Sequence, residues 1–348
     1  MQKLQRARWF AETTETPAVR RTGVERLQKK YRISIFILIF IVGCFWAMFQ
    51  MDTEVSAQTS DYAKAKRIIL TAYRNFEMSA DISSCHIYNT AKAGRKVSAM
   101  MEDVLNETPE LFYAGRKFSK DILSGNNQIV RIQLSYAAAY KTKGQVNVSK
   151  IKAMQKKIAA QTQKAMKKIK AGMTQLDKAM VLHDYLALQV SYTDKSSAKY
   201  RLTQEGALVR HKANCQGYAV TYAALLQQAG IKAKCITSAD MNHMWNLVKI
   251  GSKWYHVDVT WDDATSDLTG KKSKDSVRHT NFMLSNAAIR KTGHYGFTAP
   301  KKTSRKYDNK YWKKVVTAFQ YRNKMFRYRQ NGRWYQRKHI HTGIIKRQ

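Results

Sequence analysis

The sequence predicts an α+β fold, because helical patterns and hairpin patterns occupy separate stretches of the chain. A run of small and apolar residues that begins at Cys215 and stops at Gly230 is typical of a buried helix. Two runs rich in β-branched and aromatic residues follow, His243 to Ile250 and Lys253 to Thr260, and the pair Gly251-Ser252 between them fits a two-residue hairpin turn. A helix and an antiparallel sheet are therefore neighbours in the chain.

Cys215 is the candidate nucleophile. It follows the polar segment 210–214 and falls in the first turn of the predicted helix. The positive end of a helix dipole and its unpaired backbone N–H groups favour the thiolate form of a cysteine. The backbone N–H of Cys215 could also face a developing oxyanion, which acyl transfer requires.

The hairpin register brings a candidate base and its orienter to one face. Pairing the residues that flank the turn places His243 opposite Thr260 and Trp245 opposite Asp258. His243 and Asp258 then become diagonal neighbours on the same face, with backbones roughly 7 Å apart. A carboxylate that holds an imidazole, which in turn holds a thiolate, is the arrangement of a covalent acyl-transfer enzyme. His256 shares this face but lies opposite Leu247, a step further from His243, so it is the weaker candidate for the base.

Three segments carry a family resemblance: Cys215-Gln216-Gly217-Tyr218-Ala219, His243-Met244-Trp245-Asn246, and Trp254 to Asp262. They resemble the core of the transglutaminase-like superfamily in its bacterial secreted branch, closely over 174–263 and more loosely over 61–308. The resemblance implies a papain-like core, in which the cysteine helix packs on an antiparallel sheet, with Cys215, His243 and Asp258 as the triad. It implies supporting roles for Gln216, Gly217, Tyr218, Trp245, Asn246 and Trp261.

The chemistry that this resemblance implies is broad. Members of the superfamily include protein cross-linkers, peptidases, deamidases and inactive relatives. A cysteine peptidase or amide hydrolase acting on a protein or peptide is slightly favoured over a cross-linking transglutaminase. A non-catalytic surface module that holds anionic wall polymer or lipid is the other alternative. No side chain is matched to the oxyanion hole, and no cofactor is expected.

The N-terminal segment is a predicted signal or anchor. A basic stretch precedes an apolar run, residues 33–49, that contains no charged residue. The basic flank predicts that this end stays in the cytoplasm, so the rest of the chain is extracytoplasmic. Val55-Ser56-Ala57 offers a small-residue cleavage site. The protein is then secreted if it is cut there, or anchored to the cell membrane by 33–49 if it is not.

The chain is strongly basic, with 62 Lys and Arg against 24 Asp and Glu and a formal net charge of +38. Such a charge attracts polyanions, and wall polymer or anionic lipid are the partners considered. A set of solvated lysine-rich helix faces, such as 152–170, explains it more simply. The sequence contains no nucleic-acid-binding motif, so no specific nucleic acid is expected.

Four segments are predicted: a basic segment with the signal or anchor (1–57), a mostly helical accessory α+β segment (58–146), the catalytic core (147–308) and a basic, aromatic C-terminal hairpin extension (309–348). The extension turns at Asn331-Gly332. Other predicted elements are helices over 61–78, 94–106, 148–171 and 176–190, the last capped by Thr174 and Asp177, and strands over 111–118, 128–136, 231–238 and 280–284.

The remaining cysteines and histidines give weaker signals. Cys85 and Cys235 are the pair left for an extracytoplasmic disulfide if Cys215 stays free, and the sequence leaves that pairing open. Cys215, Cys235, His243 and His256 fit no compact zinc motif, so no metal is predicted. His183 is interpreted as a structural histidine. Four aromatic residues of the C-terminal hairpin could grip an anionic polymer or simply cover the edge of the core: Phe326, Tyr328, Trp334 and Tyr335.

Overall fold

The computed structural model describes residues 61–264, 275–300 and 303–347. All of these residues fall within one compact unit, Ser60–Gln348. The predicted basic segment, apolar run and cleavage site lie outside the described residues. Within the described ranges, no helix has both the length and the apolar character needed to cross a membrane.

The mixed helix and sheet architecture predicted from the sequence is confirmed. The helices are α1 (Asp61–Arg74), α2 (Ala91–Glu107), α3 (Val148–Met166), α4 (Gln175–Gln189), α5 (Cys215–Gln228), α6 (Val259–Asp262) and α7 (Asn286–Lys291). The predicted capping box of α4 is present, with Thr174 and Asp177 each accepting the other's backbone N–H. Reciprocal capping satisfies two amides that would otherwise lack partners.

The strands form small sheets, all but one of them antiparallel. They are β1 (Ser79–Asp81), β2 (Ser119–Leu123), β3 (Gln128–Gln133), β4 (Lys141–Thr142), β5 (Gln145–Val146), β6 (Ser191–Tyr192), β7 (Lys212–Ala213), β8 (Ala233–Ser238), β9 (His243–Ile250), β10 (Lys253–Val257), β11 (Phe282–Leu284), β12 (Gln320–Arg322), β13 (Met325–Gln330), β14 (Arg333–Arg337) and β15 (Lys346–Arg347). The parallel pair is β6 with β7.

The N-terminal part of the described chain has its own hydrophobic cluster. Helices α1 and α2 bury Ile69, Tyr73 and Val97 against the sheet β1-β3-β2, and α3 adds Ile151. Residues 111–118, predicted as a strand, form no continuous strand, so that prediction is wrong. The backbone N–H of Leu111 donates to the Thr108 carbonyl in a local turn, and within this segment an isolated antiparallel bridge joins Ala114 to Tyr136. The apolar pattern there reflects burial more than strand pairing.

A second cluster surrounds helix α5, which lies against the sheet β11-β10-β9-β8. Both faces of α5 are buried, which explains its nearly continuous apolar sequence. The Tyr222 hydroxyl donates to the Ala179 carbonyl at 2.8 Å and fixes α5 against α4. This packing sets where the first residue of α5, Cys215, lies relative to the sheet.

The hairpin of β9 and β10 has the predicted register up to Val257, with Ile250 opposite Lys253 and Leu247 opposite His256. Beyond Val257 the prediction is wrong. The chain leaves the sheet at Asp258 and forms helix α6, so His243 does not pair with Thr260, nor Trp245 with Asp258. A helix cap has replaced the last cross-strand pairs.

The C-terminal segment packs on the same hydrophobic cluster as α5. The turn at Asn331-Gly332 joins β13 to β14 as predicted, and both turn residues have positive φ. The sheet has four strands in the order β12-β13-β14-β15 and not only a hairpin. Phe326 and Tyr328 are fully buried, so they cover the core and are not open to a ligand. The four-segment division stays a prediction.

Candidate active site

Cys215 is the first residue of α5, and the helix begins there because of Asn214. The Asn214 side chain accepts from the Gly217 backbone N–H at 3.3 Å, which is an N-cap bond. The Cys215 thiol is buried, with 9% of the residue exposed. It therefore stands at the positive end of the helix dipole with limited access to water.

His243 begins β9 and contacts both other members of the predicted triad. Its Nε2 lies 2.7 Å from Oδ2 of Asp258, and its side chain also hydrogen-bonds Cys215, which leaves Nδ1 as the nitrogen for sulfur. Burial opposes the charged form of His243. The Asp258 carboxylate and the Cys215 sulfur outweigh burial and raise the pKa of the imidazole to about 10.

Asp258 is fully buried and caps helix α6 while it holds the imidazole. Its Oδ1 accepts from the backbone N–H groups of Thr260 at 2.9 Å and Trp261 at 3.2 Å. Burial favours the neutral acid, but the histidines on Oδ2 outweigh it and hold the pKa of Asp258 well below its usual range. The carboxylate stays charged and fixed in position.

A second imidazole on Asp258 was not predicted from the sequence. Nε2 of His294 lies 2.9 Å from Oδ2 of Asp258, the oxygen that His243 also contacts. His294 follows Asp258 by 36 residues and lies in the loop after α7, outside any motif or periodic pattern. Only the tertiary fold brings this histidine to the site.

Two tryptophans stack on the His243 ring. The ring centroid of Trp245 lies 5.6 Å from that of His243, and the centroid of Trp261 lies 5.4 Å from it. Trp245 is buried and Trp261 is half-buried at the cavity wall. These two stacked rings restrict the orientation of the imidazole.

The other residues of the family-like motifs join the elements of the site. Asn246 donates to the Ala219 carbonyl at 2.8 Å and connects β9 to α5, while Gln216 donates to the Leu202 carbonyl at 3.2 Å. The Tyr218 hydroxyl donates to the carboxylate of Asp263. A Cβ at Gly217 would collide with the Arg201 carbonyl and lie 2.7 Å from Cβ of Ala213.

His256 has a different role from that of a base. Its Nδ1 accepts from the Trp245 indole N–H at 2.9 Å, and its Nε2 donates to Oδ1 of Asn286 at 2.8 Å. Burial lowers the pKa of His256 to about 4. The ring is neutral and holds the Trp245 indole through this hydrogen bond.

Two adjoining cavities open beside the triad and share Tyr192. The first, of about 460 Å³, is lined by Tyr192, His243, Thr260, Trp261, Arg278, Thr280 and Asn281. The second, of about 350 Å³, is lined by Tyr192, Thr193, Lys195, Ser197, Ala198, Tyr200 and Lys212. Burial, Asp194 and the Cys215 sulfur together raise the pKa of Tyr192, so this ring lies near the Cys215 sulfur. The charged groups that line both cavities are basic.

Two histidine and aspartate groups have ligand-type atoms within 4.8 Å of one another: His183, Asp184 and His279, and the site group His243, Asp258 and His294. In both groups these atoms already hydrogen-bond each other. The four residues weighed as a zinc set do not converge among the described residues, because His256 is bound to Trp245 and Asn286. Cys85, Cys215 and Cys235 are free, buried thiols.

Residues 161–259 match the family model of the transglutaminase-like superfamily. A solved TGase is 18% identical over 55% of this chain and 51% of its own, with a TM-score of 0.29. A candidate cysteine protease from Cytophaga hutchinsonii is 14% identical over 41% and 61%, with a TM-score of 0.26. A candidate protease from Parabacteroides distasonis is 10% identical over 40% and 35%, with a TM-score of 0.24.

This chain spans less than two thirds of the length of each of those structures. No curated protein matches it significantly. The family match covers α4, α5 and the hairpin of β9 and β10 as far as Val259, and it includes Cys215, His243 and Asp258. The resemblance predicted from the sequence is confirmed over this segment: residues 161–259 match the model of the transglutaminase-like superfamily.

Proposed function

We propose that this chain is an extracytoplasmic cysteine enzyme that attacks an amide or peptide carbonyl and hydrolyses it through a thioester. The observation that carries the proposal is the chain of contacts from the Cys215 sulfur through the His243 imidazole to the Asp258 carboxylate. A buried thiol that hydrogen-bonds an imidazole, with the imidazole held by a carboxylate, is the geometry of nucleophilic acyl transfer.

The first half of the reaction forms the thioester. The Cys215 sulfur forms a bond to the carbonyl carbon, and the π electrons of the C=O bond move to oxygen. The backbone N–H of Cys215 lies at the helix start, where amides lack intrahelical acceptors, so it can donate to that oxygen. The C–N bond then breaks, and the proton on Nδ1 of His243 goes to the leaving amine.

The second half depends on the acceptor. Water gives up a proton to Nδ1 of His243 and adds to the thioester carbon, and collapse releases a carboxylic acid and the Cys215 sulfur. A lysine amine in place of water would give an isopeptide bond, which is cross-linking. The cavities beside His243 are lined mainly by polar and charged groups and admit either acceptor.

The reaction is tested with the full-length chain, a glutamine-containing peptide and a primary-amine probe, followed by mass spectrometry. We expect backbone scission or replacement of the glutamine amide by a hydroxyl. Incorporation of the amine would assign the chain to the cross-linking branch. Cys215→Ala should abolish every product, since it removes the sulfur that forms the thioester, whereas Cys85→Ala should leave them unchanged.

A thiol-labelling comparison separates the enzyme from a non-catalytic surface module. Burial raises the pKa of Cys235 to about 12, so this thiol should stay unlabelled by iodoacetamide near pH 6. Cys215, paired with His243, should react at least about 100-fold faster. Equal, slow labelling of the two cysteines, together with Cys215→Ala retaining activity, would remove the basis for the proposal.

A further inference from the structure

One oxygen of the proposed triad carboxylate serves two imidazoles. Oδ2 of Asp258 lies 2.7 Å from Nε2 of His243 and 2.9 Å from Nε2 of His294. Oδ1 is occupied separately by the backbone N–H groups of Thr260 and Trp261. The carboxylate therefore has four hydrogen-bond contacts, two on each oxygen.

This sharing constrains where the protons are. A charged carboxylate only accepts hydrogen bonds, so both Nε2 atoms must carry a proton. Nδ1 of His243 is then the nitrogen that exchanges a proton with Cys215. Two donors on one oxygen also divide its negative charge, so each is held less strongly than a single donor would be.

His294 cannot reach the reacting atoms itself. Its side chain is fully buried, and it is not among the residues that line the cavities. Nδ1 of His294 lies 3.2 Å from Oγ1 of Thr292, and that hydroxyl donates to the Ile289 carbonyl at 2.8 Å. Trp261 packs on the ring, with centroids 4.1 Å apart.

The titratable and charged groups around His294 are few. Asp258 and His243 face it directly, and the electrostatic influence of His294 extends to His256, beside which Arg290 also lies. His256 is held neutral by burial, as described above. The effect of His294 on the thiol therefore passes through the two groups that it faces, the shared carboxylate of Asp258 and the His243 ring.

We propose that His294 is a positioning residue that shares Asp258 with His243 and so limits how tightly the carboxylate holds the protonated His243 ring. The inference rests on the proposed function, because it concerns the same proton that His243 gives to the leaving group. Asp258 stays in place without His294, since Thr260 and Trp261 hold its other oxygen. Removing His294 should therefore strengthen the contact between Asp258 and His243.

The test compares His294→Leu with His294→Gln in the full-length chain. The pH at which His243 loses its proton is followed by ¹⁵N NMR of histidine-labelled protein and by the pH dependence of Cys215 alkylation. In His294→Leu this pH should rise by about one unit, the size expected for one hydrogen bond to a charged group. His294→Gln can still donate to Asp258 and should stay close to the wild type.

Turnover is a second measurement, and it should not change if His294 had only a structural role. His294→Leu should lower kcat about tenfold with KM unchanged, since a more tightly held proton is transferred less readily. A folded His294→Leu protein whose His243 titrates at the wild-type pH, or at a lower one, would overturn the inference alone. If the rate of Cys215 alkylation in the wild type did not change over the pH range in which His243 loses its proton, the proposed function would be overturned as well.

Discussion

Two histidines of one hairpin are held in opposite protonation states, and the difference comes from their partners alone. His243 faces the Asp258 carboxylate, and its pKa is raised to about 10. His256 faces an indole N–H and an amide oxygen, and burial lowers its pKa to about 4. Because no charge compensates burial at His256, only His243 can act as an acid and base.

The motif residues outside the candidate triad also have identifiable roles, and Gly217 gives the clearest case. A Cβ at this position would meet the Arg201 carbonyl and the Ala213 side chain. Gly217→Ala should therefore cost about 1 to 3 kcal/mol of unfolding free energy, as overpacking does, and should shift the start of α5. Thermal unfolding and the alkylation rate of Cys215 measure the two effects.

Gly125→Ala is the matched control, because a Cβ there meets nothing within 4 Å. It should change neither measurement. If Gly217→Ala melted like the wild type and Cys215 kept its alkylation rate, the close approach of the Arg201 loop would not contribute to stability or to the position of α5. The sequence placed Gly217 in a motif, but the loop that requires a glycine is brought there only by folding.

At the scale of elements, the sequence predicts the β9–β10 pairing correctly up to the point where the Asp258 side chain takes the backbone amides of the next residues. The β9 and β10 pairing follows the turn and the alternation of apolar residues. The run Val257 to Thr260 continues to look like a strand, since valine and threonine favour strands. Oδ1 of Asp258 instead captures two amides and starts helix α6, a choice that depends on the buried site around it.

Asp258 both caps α6 and holds His243, and two variants distinguish these roles. Asp258→Asn keeps an oxygen for the α6 cap but loses the charge that supports protonated His243. We expect kcat to fall about 100-fold or more, and stability at neutral pH to fall by about 3 kcal/mol, because two buried imidazoles lose their carboxylate. Asp258→Ala removes the cap as well, and its additional loss should be roughly 1 kcal/mol of unfolding free energy.

Steady-state kinetics and urea unfolding of the two variants make the comparison. If Asp258→Asn and Asp258→Ala lost the same stability, the cap bonds to Thr260 and Trp261 would contribute nothing to the fold. If Asp258→Asn retained full turnover, the carboxylate would not support His243. Each result bears on a different oxygen of the same side chain.

At the scale of the molecule, buried polar bonds attach the C-terminal segment to the core. Oδ1 of Asp177 accepts from the Ile340 backbone N–H at 2.8 Å, and Oδ2 of Asp184 accepts from the Phe319 backbone N–H at 2.6 Å. The sequence predicted the turn of this segment but not where it docks. Contacts between residues more than a hundred positions apart leave no periodic signal in the chain.

Asp184 also belongs to a buried charge network that sets the pH dependence of stability. Burial disfavours the charged form of His183, but Asp184 and Asp262 outweigh it and raise the pKa to about 9. The stability that His183 contributes is therefore complete below about pH 6.5 and is lost as the pH rises through 9. His243, with a pKa near 10, acts in the same direction.

Lys313 changes stability with pH in the direction opposite to that of His183 and His243. Burial lowers its pKa to about 7 against the pull of Asp262 and Asp308, so unfolding takes up a proton between about pH 7 and 10.5. That uptake makes the folded state more stable as the pH rises. Between pH 7 and 9 the contribution of Lys313 therefore offsets that of one of the two histidines.

Lys313→Met should remove this offset and make stability fall more steeply with pH. Urea unfolding at pH 7, 8 and 9 should show the slope against pH increasing by about 1.4 kcal/mol per unit, the value for one proton. The exposed neighbour Lys314 supplies the control, and Lys314→Met should keep the wild-type slope. Parallel slopes for all three proteins would mean that Lys313 keeps its proton on folding, in spite of its burial.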